Sequence, residues 1–143
     1  MKGKILLVED NEVYAKVIKV CLEESGHEVY LVGDGESALD SAKKIMPNAI
    51  LLDIMLPGIN GIAVCKKFKA DATLHSVPII MLTAKSEAKD VQTAINAGAD
   101  DYITKNNDIE TVWREIEEKI FKSLLKRVQD SIDDDSPTLI RDS

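Results

Sequence analysis

Apolar positions along the chain alternate between short unbroken runs and recurrences every three or four residues. Lys4–Val8 is a short apolar strand. Tyr14, Val17, Ile18, Cys21 and Leu22 then recur at helical spacing, and Gly26 sits where a helix would end. Glu28–Val32 reads as a second, more polar strand, as a sheet edge allows. Glu36–Met46 is a second helix with Ala38, Leu39, Ala42 and Ile45 on one face and Pro47 to stop it. Ala49-Ile50-Leu51-Leu52 runs into Asp53 and closes at Pro57-Gly58. Such a run fits a strand buried on both faces, although a buried helix has the same periodicity. Ile62, Val64, Cys65 and Phe68 mark a third helix, and Val77–Leu82 a buried fourth strand. Val91, Ala94 and Ile95 mark a fourth helix closed by Gly98, and Asp101–Ile103 is a short fifth strand. Asn107-Asp108-Ile109-Glu110 has the form of a capping box opening a fifth helix. Five strand–helix units with short connections predict an α/β, doubly wound five-stranded parallel sheet with helices on both faces.

The fifth helix has more apolar residues than docking requires. Ile109, Val112, Trp113, Ile116 and Ile120 suffice to hold it on the sheet, yet Phe121, Leu124, Leu125, Val128 and Ile132 continue the spacing. A helix from Asp108 to near Val128 would be ~31 Å long, against ~17 Å for a short strand. Its last turns are expected to overhang and expose an apolar stripe, suited to a second copy or to an output segment. Residues 1–121 form the expected domain. Residues 122–143 are its extension and an acidic tail, with Asp130–Ser143 expected to be flexible.

At 143 residues, one domain with a real core is expected. The net charge of −7 and pI near 4.8 lack the basic footprint of a nucleic-acid binder, so no direct nucleic-acid contact is expected. No apolar run approaches the ~20 residues of a membrane span, and the one after Lys4 is too short for a signal peptide. Cys21 and Cys65 fall at apolar helix positions, as reduced core thiols of a cytoplasmic protein would.

Candidate chemistry collects at the strand ends, where such sheets bind ligands. The first strand ends in Glu9-Asp10, the third in Asp53, the fourth in Thr83 and the fifth in Lys105. Asp10, Asn11 or Thr83 alone would read as a helix cap, and Lys105 alone as a solvated lysine. Asp53 is harder to dismiss, because an ionised carboxylate in so apolar a strand needs a partner. Five polar groups at matched ends of one sheet are a signal as a set.

The segments "ILLVEDN", "ILLDIMLPGING", "PIIMLTA" and "GADDYITK" resemble, in order and spacing, the receiver domain of two-component response regulators over about residues 3–121. The resemblance implies the (βα)5 flavodoxin-like fold with strand order 2-1-3-4-5. It also implies phosphorylation of Asp53 by a histidine kinase or phosphotransfer protein, and control of an output protein or domain. Three carboxylates, Glu9, Asp10 and Asp53, repel one another and suit a hard cation, Mg²⁺ or alternatively Mn²⁺. Lys105 would pair with one phosphoryl oxygen, Thr83 would donate to another, and Ala84 would leave the site open. By resemblance, the backbone carbonyl of Met55 joins the metal shell, and Tyr102 turns inward when Thr83 is drawn to the phosphate.

The chain departs from its relatives at two points. Asn106 follows Lys105 where proline is usual, and a cis bond to a non-proline residue costs ~2.5–4 kcal/mol, so a trans bond is expected. Val91 stands where the transcription-factor branch carries a basic residue in the middle of the fourth helix, which weakens the case for that branch's dimer.

Other classes fit less well. A haloacid-dehalogenase-type phosphatase needs an acid where Met55 stands, and Glu9-Asp10-Asn11-Glu12 has no glycine for a pyrophosphate. The chain is therefore expected not to be an enzyme beyond self-catalysed phosphorylation and slow autodephosphorylation. A pseudo-receiver, binding partners without phosphorylation, is the alternative.

Overall fold

The computed structural model describes residues 2–84, 89–105 and 108–142, with side chains as far as Ile132. Among these, the strands are β1 (Lys4–Val8), β2 (Glu28–Val32), β3 (Ala49–Asp53), β4 (Ile79–Thr83) and β5 (Asp101–Thr104). They alternate with α1 (Glu12–Glu24), α2 (Gly35–Ile45), α3 (Gly61–Ala70), α4 (Val91–Asn96) and α5 (Ile109–Asp142). Every strand pairing is parallel, in the order β2-β1-β3-β4-β5. This is the flavodoxin-like receiver fold that the sequence predicts.

The two-residue period of a strand explains the unbroken apolar runs. Leu6, Val8, Ile50, Leu52, Ile79 and Met81 pack on one face with Ala38, Val64, Phe68 and Ala94. Ile5, Leu7, Leu51, Ile80 and Leu82 face the other way, toward Ala15, Ile18, Leu22, Val112 and Ile116. β3 and β4 are covered on both sides and have no polar face to show, whereas the edge strand β2 leaves Tyr30 and Leu31 partly exposed.

Several boundaries and faces differ from expectation. α1 buries Ala15, Ile18 and Leu22 and leaves Val17 36% exposed, because the neighbouring apolar pair Val17-Ile18 fits either helical phase. β4 begins at Ile79, since Pro78 has no N–H for the ladder, although its carbonyl accepts from Ile50. Val91 is the first residue of α4, not a residue of its middle.

α5 buries Val112, Ile116, Ile120 and Leu124, one per turn, and none of its later described side chains is buried. Phe121, Leu125, Val128 and Ile132 are 47%, 48%, 48% and 50% exposed, the stripe that the spacing predicts except for Leu124, which folds back onto the core. The backbone stays helical to Asp142, past the expected end near Val128 and through the tail expected to be flexible. No glycine or proline interrupts the segment until Pro137, so local propensity can carry the helix that far beyond its tertiary support, and the helix continues past Pro137. The change at Leu124 is testable. Leu124→Ala is expected to cost about 2–3 kcal/mol in urea unfolding, while Leu125→Ala stays within about 0.5 kcal/mol.

The sheet end opposite the carboxylate cluster is closed by a contact the sequence did not suggest. His27 is 4% exposed, and its Nδ1 accepts the Gly3 N–H at 3.1 Å. Its Nε2 lies 2.7 Å from Glu117 Oε1, so the ring with hydrogen on Nε2 satisfies both partners and ties β1 to α5.

Candidate functional site

The carboxyl ends of β1, β3, β4 and β5 meet on one rim, and local backbone bonds fix their relative heights. The Ile54 N–H donates to Leu82 at 3.1 Å, and the Lys105 N–H donates to Thr83 at 2.7 Å. Asp53 is in register with Leu82, so Thr83 lies one step beyond it on the neighbouring strand. After Asp53 the chain turns through Gly58, at φ 77°, and returns to hydrogen bond the Gly61 N–H to the Ile54 carbonyl at 2.7 Å.

Glu9, Asp10 and Asp53 each bring a carboxylate oxygen within 4.8 Å of the others. Glu9 and Asp53 are both buried, at 4% exposure, while Asp10 is exposed. The Lys105 ammonium donates to Glu9 Oε1 and, at 2.9 Å, to Asp53 Oδ2. Backbone donors hold the other oxygens: the Asn11 N–H reaches Glu9 Oε2 at 3.1 Å, and the Met55 N–H reaches Asp53 Oδ1 at 3.1 Å.

These contacts set the electrostatics. Burial pushes the Glu9 carboxyl above its ordinary range; Lys105 pulls it partly back, and the neighbouring Asp53 adds to the rise. Burial works against the Lys105 ammonium, but the Glu9 and Asp53 carboxylates outweigh it and hold its pKa above the ordinary value. Two buried acids, one exposed acid and one base retain excess negative charge, and their donors to a cation are all oxygen. That donor chemistry fits Mg²⁺ or Mn²⁺ and not a nitrogen- or sulfur-seeking metal.

Asn11 caps α1, its Oδ1 accepting the Tyr14 N–H at 3.0 Å, which leaves Asp10 to the cluster. Among the described residues Thr83 caps no helix: it is fully buried, and its hydroxyl has no hydrogen-bond partner. A buried donor left in this way carries a desolvation cost.

The remaining expected residues fall into place less completely. Ala84 follows Thr83 at the rim and is partly exposed. The Met55 side chain is 61% exposed, and its backbone N–H is the part that serves Asp53. Tyr102 is 40% exposed with Lys119 Nζ 5.6 Å from its ring centre, so it stands outward. The Lys105–Asn106 bond and the proposed capping role of Asn107 lie outside the described residues. The α5 cap within them is Asp108, whose Oδ1 takes the Thr111 N–H at 3.4 Å. A cleft of about 670 Å³ opens beside Glu9 and Asp10, bordered by Lys16, Val32 and Pro57. Tyr14, read from sequence as a core residue of α1, places its ring 4.9 Å from Lys105 Nζ. Its position four residues after Asp10, in the first turn of α1, was the available signal.

Fold and rim together define a flavodoxin-like signalling domain with an acidic pocket at the strand ends. Residues 5–117 match the response regulator receiver domain family, and the chain belongs to it. It is 43% identical over 105 residues to the DNA-binding response regulator MtrA of Mycolicibacterium paratuberculosis, covering 73% of this chain and 45% of MtrA. The chain thus spans less than half the length of that curated relative. Among solved structures, the phosphorylated cyanobacterial phytochrome response regulator RcpA superposes with a TM-score of 0.74 at 29% identity, covering 82% of this chain and 91% of RcpA. The Mn²⁺-bound form of response regulator Rcp1 gives 0.71 at 26% identity, covering 81% and 90%.

One expectation is corrected by these relatives. The acidic charge suggested no nucleic-acid contact, yet the MtrA proteins are DNA-binding regulators. Charge counted over a receiver reports on the receiver's own surface, not on an output domain elsewhere in a longer protein. No helix among the described residues is long and apolar enough to cross a membrane.

Proposed function

We propose that this receiver accepts a phosphoryl group on Asp53 from a histidine kinase or phosphotransfer protein and thereby switches an output carried outside the matched residues. The observation that carries the reading is the contact set of Asp53: two further carboxylates within 4.8 Å and the Lys105 ammonium at 2.9 Å. Glu9, Asp10, Asp53 and the Met55 carbonyl would hold the divalent cation. When bound, it supplies positive charge that offsets the repulsion between carboxylate and phosphoryl oxygens.

An Asp53 oxygen forms the new bond to phosphorus while the donor's phosphorus–nitrogen or phosphorus–oxygen bond breaks and its electron pair leaves with the donor. Lys105, already on Asp53 Oδ2, moves its hydrogen bond onto a phosphoryl oxygen. The orphan Thr83 hydroxyl gains the acceptor it lacks, and the loop after β4 follows it. Tyr102, standing outward, then turns in. Phosphorylation shifts a population between two states rather than creating one. The DNA-binding role of its relative MtrA makes DNA binding the proposed kind of output.

Intact-mass analysis after incubation with acetyl phosphate and Mg²⁺ tests the reading. One phosphoryl mass is expected, absent in chelator and lost again with time. No adduct, or one equally abundant in chelator, would leave a phosphorylation-independent interaction module.

A further inference from the structure

We propose that Tyr14 is a positioning residue that holds the Lys105 ammonium at the phosphoacceptor pocket through the face of its ring. This rests on Asp53 being the phosphoacceptor for its function, though not for its geometry. Lys105 Nζ is met by three groups: Glu9, Asp53 and, 4.9 Å away, the centre of the Tyr14 ring. The first two are also groups that would hold a divalent cation, so its arrival would weaken both anionic contacts of Lys105 together. The ring does not compete for the cation in this way. It attracts an ammonium through its quadrupole without neutralising it, so Lys105 keeps its place and its full charge for a phosphoryl oxygen.

The hydroxyl supports a role for the ring rather than for the phenol. Tyr14 Oη is buried and has no hydrogen-bond partner among the described residues. Nothing polar therefore anchors the side chain by its tip. It is held by packing against the cluster formed by Ile5, Leu7, Ile18 and Leu82, with the ammonium as its polar neighbour. Burial also pushes the phenol up to about 12, so it stays neutral and supplies no charge of its own. An aliphatic residue would fill the same space without leaving a buried hydroxyl unpaired; what it would lack is the π face.

The test compares the full chain with Tyr14→Phe and Tyr14→Leu by two readouts. The first is the chemical shift of the Lys105 ε-methylene protons, assigned by loss of the signal in Lys105→Arg. The ring should move these protons upfield in the wild type and in Tyr14→Phe, and the displacement should vanish in Tyr14→Leu. The second is the rate of phosphoryl uptake from acetyl phosphate at saturating Mg²⁺. It should fall about two- to fivefold in Tyr14→Leu, the scale of one cation–π contact, and be rescued in Tyr14→Phe. Thermal midpoints of both variants separate a folding defect from lost positioning.

Identical Lys105 shifts in the wild type and Tyr14→Leu would overturn the proposal, whether or not the chain takes up phosphate. So would a slow Tyr14→Phe, which would assign the effect to the hydroxyl, or a Tyr14→Leu as fast as wild type. A wild type with the shifted methylene but no phosphoryl uptake would instead refute the reading of Asp53 and leave the contact standing.

Discussion

Asp53→Asn is expected to take up no phosphoryl group from acetyl phosphate while remaining folded, and the two outcomes have separate physical causes. Asparagine keeps the shape of the side chain and a carbonyl oxygen for the Met55 N–H, which now donates to Asp53 Oδ1 at 3.1 Å. It lacks the anionic oxygen that forms the bond to phosphorus, so uptake should fall to the background of the assay. Stability should be unchanged or higher, because one of three crowded negative charges is gone and Glu9 remains a partner for Lys105.

The pH dependence gives a sign to check. The folded pKa of Glu9 is raised above its ordinary 4.5, first by burial and in part by Asp53. Between 4.5 and that raised value the folded chain holds more protons than the unfolded one, so stability falls as pH rises through the window. Removing the Asp53 charge narrows the window. The stability of Asp53→Asn relative to wild type, measured by urea unfolding, should therefore improve as pH rises above 4.5 through that window. Continued uptake by this variant would remove Asp53 from its role; a loss of stability that grows with pH would contradict the charge crowding.

The fold was legible because its signals are redundant. A run such as Ala49–Leu52, closed by Pro57-Gly58, has few solutions in a chain that also offers four more strand patterns with helices between them. The site was legible as a set for the same reason: parallel strands of matched length bring Glu9, Asp53, Thr83 and Lys105 to one rim even when their separations in sequence are large. What stayed hidden depends on helix phase. Tyr14 lies beneath Lys105 because α1 buries the face of Ala15, Ile18 and Leu22, and the pair Val17-Ile18 left that phase open. His27 stayed hidden because its partners, Gly3 and Glu117, are polar groups whose meeting depends on where α5 crosses the sheet. The DNA-binding role of the MtrA relatives went unread for another reason: the charge of a receiver carries no information about a domain outside it.

The turn after β3 makes the strongest structural prediction, at Gly61. A Cβ placed there would lie 2.0 Å from the backbone oxygen of Asp53 and 2.8 Å from Ile54 Cα. Both neighbours are main chain, so no side-chain rotation relieves the clash, and the short Gly61 N–H bond to Ile54 fixes the approach. Gly61→Ala must move either the start of α3 or the end of β3. Cost on the scale of severe overpacking, about 3 kcal/mol or more, is expected in urea unfolding. Gly58→Ala makes the contrast within the same turn. Its positive φ of 77° strains any side chain, but the nearest atom to its Cβ is Glu36 Oε1 at 3.5 Å. That is ordinary contact, so only the backbone term of about 1–2 kcal/mol applies.

The two variants should differ in function as well as in stability. Gly61→Ala presses on the residue that carries the proposed nucleophile, and it should slow phosphoryl uptake even at temperatures where the chain is fully folded. Gly58→Ala leaves the Asp53 backbone alone and should take up phosphate at nearly the wild-type rate. Equal stabilities for the two would mean that α3 slides freely on β3. Equal uptake rates in the folded state would mean that the height of Asp53 on the rim does not depend on the turn that follows it.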